Sequence, residues 1–249
     1  MRTTLLQSGN YYCQSALLTN LTTSEAFFLI IIIGIVGMVV QARLRSVFNK
    51  YSRVPISNGM TGAEIAEKML RDHNIHNVRV THVRGELTDH YNPATLTVNL
   101  SDAVYSSRSI AAAAVACHEC GHAIQHAESY APLKMRSALV PVVNFSSRMA
   151  QWIIIIGLIL MSTSGNAVVC WIGVGMIAMS ALFSIVTLPV EYNASDRALE
   201  WLESSRTLRI DEMEGAKTSL RWAARTYLVA ALSAIASLLY YITLINRRD

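Results

Sequence analysis

His118, Glu119 and His122 stand in the run His-Glu-Cys-Gly-His. Residues i and i+4 of an α-helix lie about 40° apart around its axis, so both imidazoles can aim at one metal ion with Glu119 beside the open coordination position. That set suits zinc-assisted hydrolysis. The ion takes three protein ligands, keeps a water as the fourth and lowers that water's pKa toward about 7, where a carboxylate base can take its proton.

The flanking sequence favours the helix this chemistry needs. Residues 108–127 are rich in alanine, lack proline and contain only Gly121 as a weak helix former. A five-residue pattern with three fixed positions arises by chance in many chains, so a third ligand must be found. His126 lies four residues beyond His122, but three ligands in a row on one straight helix converge poorly on a tetrahedral ion, and it reads as a helix-surface histidine. A metzincin would carry glycine at 125 and histidine at 128; Gln125 and Glu128 exclude that class. Glu191, in Pro-Val-Glu-Tyr-Asn-Ala-Ser-Asp-Arg-Ala, remains. Whether it can reach the motif depends on topology.

Composition sets the topology. The chain has 249 residues, 52% hydrophobic and only 15% charged, with a mean hydropathy of +0.34, and reads as a multi-pass membrane protein. Apolar runs place transmembrane helices at residues 26–42, 149–162, 167–188 and 227–245, the middle two joined by a tight hairpin. Of 21 lysines and arginines, twelve lie between the first and second spans and six between the third and fourth, while Arg2, Arg247 and Arg248 sit at the ends. The positive-inside rule makes both large loops cytoplasmic. Two crossings separate the motif from Glu191, so the two share a face in either orientation. Residues 1–25 read as an N-terminal extension. With only Arg2 before the apolar run and no small-residue cleavage pattern after it, the first span reads as an uncleaved anchor.

Residues 43–148 read as a cytoplasmic domain carrying the motif. Thr61 and Glu64 form a capping box for an amphipathic helix. Residues 78–83 and 96–100 alternate apolar and polar side chains as two short strands, with residues 89–93 as the turn between them, a short hairpin beside the motif helix. A strand edge there could pair with an extended peptide. Residues 189–226 form a second, helical cytoplasmic segment. Pro189 ends or kinks the third span just before Glu191, and Asp211 with Glu214 resembles a capping box for a helix running toward the fourth span. Cys117 and Cys120 flank the motif in C-x-x-C spacing, but the helix that unites the histidines turns these thiols elsewhere, and they read as packing residues. Cys13 and Cys170 suggest no disulfide framework. No nucleic-acid motif is present.

The runs Thr-Asp-His-Tyr-Asn-Pro, His-Glu-Cys-Gly-His-Ala-Ile-Gln-His-Ala, Tyr-Ala-Pro-Leu-Lys-Met-Arg-Ser-Ala-Leu-Val-Pro and Leu-Pro-Val-Glu-Tyr-Asn-Ala-Ser resemble the YugP family of bacterial membrane zinc metallopeptidases, in order, from about residue 26 to the fourth span. The resemblance implies a mainly α, multi-pass protein with a small cytoplasmic α+β gluzincin-like domain. It implies one catalytic zinc ion held by His118, His122 and Glu191, with Glu119 as base. Related membrane gluzincins carry an aspartate four residues after the third ligand; here that position is Ser195, with Asp196 next, and either is a candidate to orient a ligand histidine.

Two other classes fit less well. A site-2-type intramembrane protease takes an aspartate before glycine as third ligand, and no Asp-Gly pair occurs in this chain. A non-catalytic scaffold with a structural zinc would close all four positions with protein ligands and has no use for Glu119. The sequence therefore predicts a zinc endopeptidase in the cell membrane, acting on peptide or membrane-protein substrates at the cytoplasmic face. His90, Tyr91, Tyr130 and Arg197 are the candidates for an oxyanion donor.

Overall fold

The computed structural model describes residues 21–246. Arg2, Cys13, Arg247, Arg248 and most of the expected N-terminal extension lie outside those residues. The described elements are α1 (Thr23–Tyr51), α2 (Gly62–Asp72), β1 (Arg79–His82), β2 (His90–Asn92), β3 (Thr97–Leu100), α3 (Asp102–Tyr105), α4 (Ile110–Ala127), α5 (Ala131–Ser164), α6 (Val168–Ser204) and α7 (Ile210–Asn246). Helices α1, α5, α6 and α7 are each long and apolar enough to cross a membrane. Large apolar side chains such as Phe28, Ile32, Phe145, Trp152 and Ile172 are exposed along them. Such surface is stable only against lipid; the chain is a membrane protein.

The chain divides into two compact units. The smaller comprises residues up to 35, 144–181 and from 232 on. Ile154, Met161, Cys170, Val174 and Ile245 form its core, and Gly165, at φ +73°, turns the chain between α5 and α6. The larger unit, residues 36–143 and 182–231, carries the expected site residues.

Helix α4 is the centre of the larger unit. Ala111 to Ala114, Ala116, Cys117, Cys120 and Ala123 are all buried, and their small side chains let neighbouring helices approach on several sides. Ser109 caps α4 by accepting the Ala112 N–H. Helix α2 packs Ile65, Ala66, Met69 and Leu70 against this core, each large side chain contributing about 1.5–3 kcal/mol by burial. Its capping box is the one the sequence predicts: Thr61 accepts the Glu64 N–H while the Glu64 carboxylate accepts the Thr61 N–H. Trp201 and Leu202 of α6 and Met213 and Leu220 of α7 complete the core.

The sheet differs from the sequence reading. Both predicted strands form, but they do not pair with each other as a hairpin: β1 runs parallel to β3, with Arg79 opposite Thr97. The hairpin is β2–β3, antiparallel with Tyr91 opposite Val98, and the order β1-β3-β2 leaves β2 at an edge. Residues 89–93, read as a turn, contain β2. The Asp89 carboxylate accepts the Ser101 N–H and hydroxyl at 2.7 and 2.9 Å, tying this segment to the end of β3. Asn92 Oδ1 then accepts from Ala94 N at 2.9 Å, which makes the return turn one step later than expected. As the middle strand, β3 is buried along its length, and Asn99 is satisfied by Thr81 and Thr97 rather than by solvent.

Two further expectations are corrected. Of the two alternatives for Pro189, ending or kinking the third span, the first is ruled out, since α6 runs through it to Ser204. The expected capping pair Asp211 and Glu214 is not used. Arg209 N donates instead to Glu212 Oε2 at 2.9 Å, and Glu212 also accepts the Ser57 N–H, so the start of α7 is tied to the loop before α2.

Candidate metal centre

Helix α4 supplies His118, Glu119 and His122, and α6 supplies Glu191. The histidine rings lie 4.9 Å apart and nearly perpendicular, and both turn Nε2 toward the same carboxylate oxygen. Glu191 Oε2 is 3.2 Å from Nε2 of His118 and 3.6 Å from Nε2 of His122. One ligand atom from each of the three residues lies within 4.8 Å of the others. Glu191 is 1% exposed, a buried carboxylate that needs partners to remain charged. Its other oxygen is ion-paired with Arg136 Nη1 at 3.1 Å.

The opposite ring nitrogens are held in place. Gln125 is wholly buried. Its amide nitrogen donates to Val190 O at 2.8 Å and Asn193 Oδ1 at 2.9 Å, so its Oε1 is the end facing Nδ1 of His122, at 3.0 Å. An amide oxygen only accepts; Nδ1 therefore carries a proton, and Nε2 is the nitrogen left to face Glu191 and to serve a metal. Nδ1 of His118 meets the Ser195 hydroxyl at 3.1 Å. Asp196 is exposed and does not reach the ring, so of the two candidates the structure places Ser195 there. Burial disfavours a charge on His122, but the carboxylates of Glu191 and Glu119 beside it raise its pKa above the ordinary histidine value.

Glu119 is buried and faces β2, where its Oε2 accepts the Tyr91 N–H at 2.9 Å. It stands apart from the three-residue cluster and lines the cavity in front of it. That cavity, of about 710 Å³, is also bounded by Asp89, His90 and Tyr91 from the β2 strand, Arg136 and Val140 from α5, and Tyr227 from α7. His126 is outside the ligand set: Nδ1 lies 2.7 Å from the Tyr91 hydroxyl. Cys117 and Cys120 face away, Cys120 donating to Ala66 O. Burial pushes both thiols up, Cys117 well above its usual range, so neither offers a thiolate.

The proposed oxyanion donors fall into two groups. His90, Tyr91 and Tyr130 line the cavity. Arg197 does not, being held by Glu128 at 2.6 Å and Asn193 at 2.8 Å. Three residues that the sequence reading did not assign also belong to the site: Gln125, Arg136 and Tyr227. Gln125 had a signal, being three residues from His122 and so on the same face of the helix. Arg136 stands on the next helix, in one of the runs that carry the resemblance, but was given no role there; Tyr227 had no signal, coming from a helix remote in sequence from the motif.

A family described as "Putative neutral zinc metallopeptidase" matches residues 26–246, and the chain belongs to it. It is 44% identical over 212 residues, 84% of its length and 92% of the relative's, to the "Putative membrane protease YugP" of Bacillus subtilis (strain 168). No solved structure matches the chain. The donor set fits the metal that the family's description names, with two imidazole nitrogens and a carboxylate oxygen converging and both outer ring nitrogens engaged elsewhere.

Proposed function

We propose that this chain is a zinc endopeptidase that cleaves peptide bonds of membrane-associated or unfolded membrane proteins at the cytoplasmic face of the membrane, in the manner of a quality-control protease. The convergence of His118, His122 and Glu191 beside a cavity faced by Glu119 carries this reading. A single zinc held by those three residues would supply Lewis acidity, lowering the pKa of a coordinated water and polarising a carbonyl. Glu119 takes the proton as the water oxygen adds to the carbonyl carbon. It returns that proton to the amide nitrogen as the C–N bond breaks, and the proton left on the new acid passes to the amine, so the products are a carboxylate and an ammonium. Tyr91 N–H fixes the carboxylate for this task. As a sheet edge lining the cavity, β2 can hold an extended substrate through backbone hydrogen bonds, which selects for unfolded chain rather than for sequence.

The wild type, Glu119→Gln and Glu191→Ala are to be purified in detergent, their zinc content measured, and casein or an unfolded membrane protein offered as substrate. The expected pattern is zinc retained but cleavage lost in Glu119→Gln, and zinc lost in Glu191→Ala. Equal cleavage by Glu119→Gln overturns the mechanism, and undiminished zinc in Glu191→Ala overturns the ligand set.

A further inference from the structure

A peptidase must stabilise the charge that builds on the carbonyl oxygen, and a donor fixed in advance at that point typically contributes about 10²–10³ in rate. Most polar groups lining the cavity are already committed. Tyr91 N–H is given to Glu119 and its hydroxyl meets His126. His90 Nδ1 lies 2.8 Å from Thr88 O, the Gln125 amide serves Val190 and Asn193, and the Ser137 hydroxyl donates to Leu133 O. Lys134 is solvent-exposed. Among the rest, Arg136 is ion-paired with Glu191 through one nitrogen of its guanidinium, and Tyr227 comes from α7. Both line the cavity.

We infer that Arg136, together with the Tyr227 hydroxyl, forms the oxyanion site of this peptidase, an inference that rests on the activity proposed above. A guanidinium carries five N–H donors in a fixed fork. Arg136 Nη1 is ion-paired with Glu191 Oε1 at 3.1 Å, which anchors the group against the ligand cluster, and the residue lines the cavity. An arginine serves poorly as a mere support for Glu191, because a cation on a ligand carboxylate draws electron density away from the metal. Its charge is better matched to an anion that exists only as the reaction proceeds. Tyr227 lines the same cavity from a different helix, so the two donors come from separate elements.

Arg136→Ala, Arg136→Lys and Tyr227→Phe are to be compared with wild type for zinc content, thermal stability, kcat and KM. Two affinities are also to be measured, that of a phosphinic peptide, whose tetrahedral anionic oxygen imitates the developing charge, and that of an uncleaved substrate peptide in a Glu119→Gln background. Arg136→Ala is expected to lower kcat about 10²- to 10³-fold and weaken the phosphinic peptide about 10²-fold, with zinc content and substrate-peptide affinity within twofold of wild type. Tyr227→Phe should show a smaller loss of the same kind, and Arg136→Lys, which keeps the charge without the fork, an intermediate one. An Arg136→Ala variant that loses zinc or stability in proportion to kcat makes the residue structural and overturns the inference, as does unchanged phosphinic-peptide affinity. Wild type that binds zinc yet cleaves no peptide overturns the peptidase reading itself, whereas wild-type cleavage with undiminished kcat in Arg136→Ala overturns only the oxyanion assignment.

Discussion

The Ser195 hydroxyl lies 3.1 Å from Nδ1 of His118, one helical turn along α6 from Glu191. A single turn of α6 thus presents the third ligand and the group that orients the first. The hydroxyl fixes the ring's direction without adding negative charge behind it, unlike the carboxylate found at this point in related membrane gluzincins. Ser195→Ala is expected to weaken zinc binding about tenfold, the lower end of what loss of such a partner costs. Ser195→Asp should hold zinc at least as tightly as wild type. Competition against a chelator of known affinity checks both, and an unaltered affinity in Ser195→Ala would remove Ser195 from the site.

Gln125 joins the two halves of the site by hydrogen bonds at both ends, to His122 on α4 and to Val190 and Asn193 on α6. Gln125→Leu fills the volume but leaves buried polar partners unsatisfied, a cost of about 1–3 kcal/mol. The loss should appear in metal-free protein, when denaturation is followed in excess chelator, and zinc affinity should fall a further 10- to 100-fold because Nδ1 of His122 loses its acceptor. A variant that loses zinc affinity with full metal-free stability would place Gln125 in metal positioning alone.

What was legible in the sequence divides along physical lines. Local signals read well: the capping box at Thr61 and Glu64, the i, i+4 pair His118 and His122, and the apolar runs that lie within the four long helices. From the residues themselves Glu191 was reachable through counting crossings, an argument about sides of a membrane rather than about contact, and the family resemblance named it as a ligand. Strand β2 was missed because its three residues, flanked by Asp89 and Pro93, carry no alternation; pairing with β3 is what makes them a strand. The start of α7 was misread because Asp211 and Glu214 have the right spacing, while the tertiary contact from Ser57 selects Glu212. Tyr227 left no trace at all. A residue brought to a site by the fold has no reason to stand near the motif in sequence.

Cys117 just before the motif run and Cys120 within it are fully buried, and burial holds both thiols protonated. A raised pKa means that little thiolate is present at pH 8, and burial also denies the reagent access. Iodoacetamide at pH 8 should therefore leave both unmodified in the folded, chelator-treated protein and alkylate both once the protein is unfolded. Peptide mapping distinguishes them from the other cysteines. Rapid labelling of either in the folded state would mean that α4 is packed differently, or that a thiol faces the metal.

Gly121 sets how closely α4 and α6 approach. A Cβ at this position would lie 2.6 Å from the Ala194 carbonyl oxygen and 3.1 Å from its Cα, so a methyl group cannot be accepted by rotating a side chain. The backbones must part, and they carry His118 and His122 on one side and Glu191 and Ser195 on the other. Gly121→Ala would gain up to about 1 kcal/mol in helix propensity but meets backbone, and overpacking of that kind typically costs about 1–3 kcal/mol. The expected result is a lower melting temperature in chelator and weaker zinc binding together, since one displacement causes both. Gly175→Ala is the control. It places a methyl on α6 where nothing lies within 4 Å, and stability and zinc affinity should stay at or slightly above wild type. If Gly121→Ala matches that control in both measurements, the close approach of these helices is not what assembles the site.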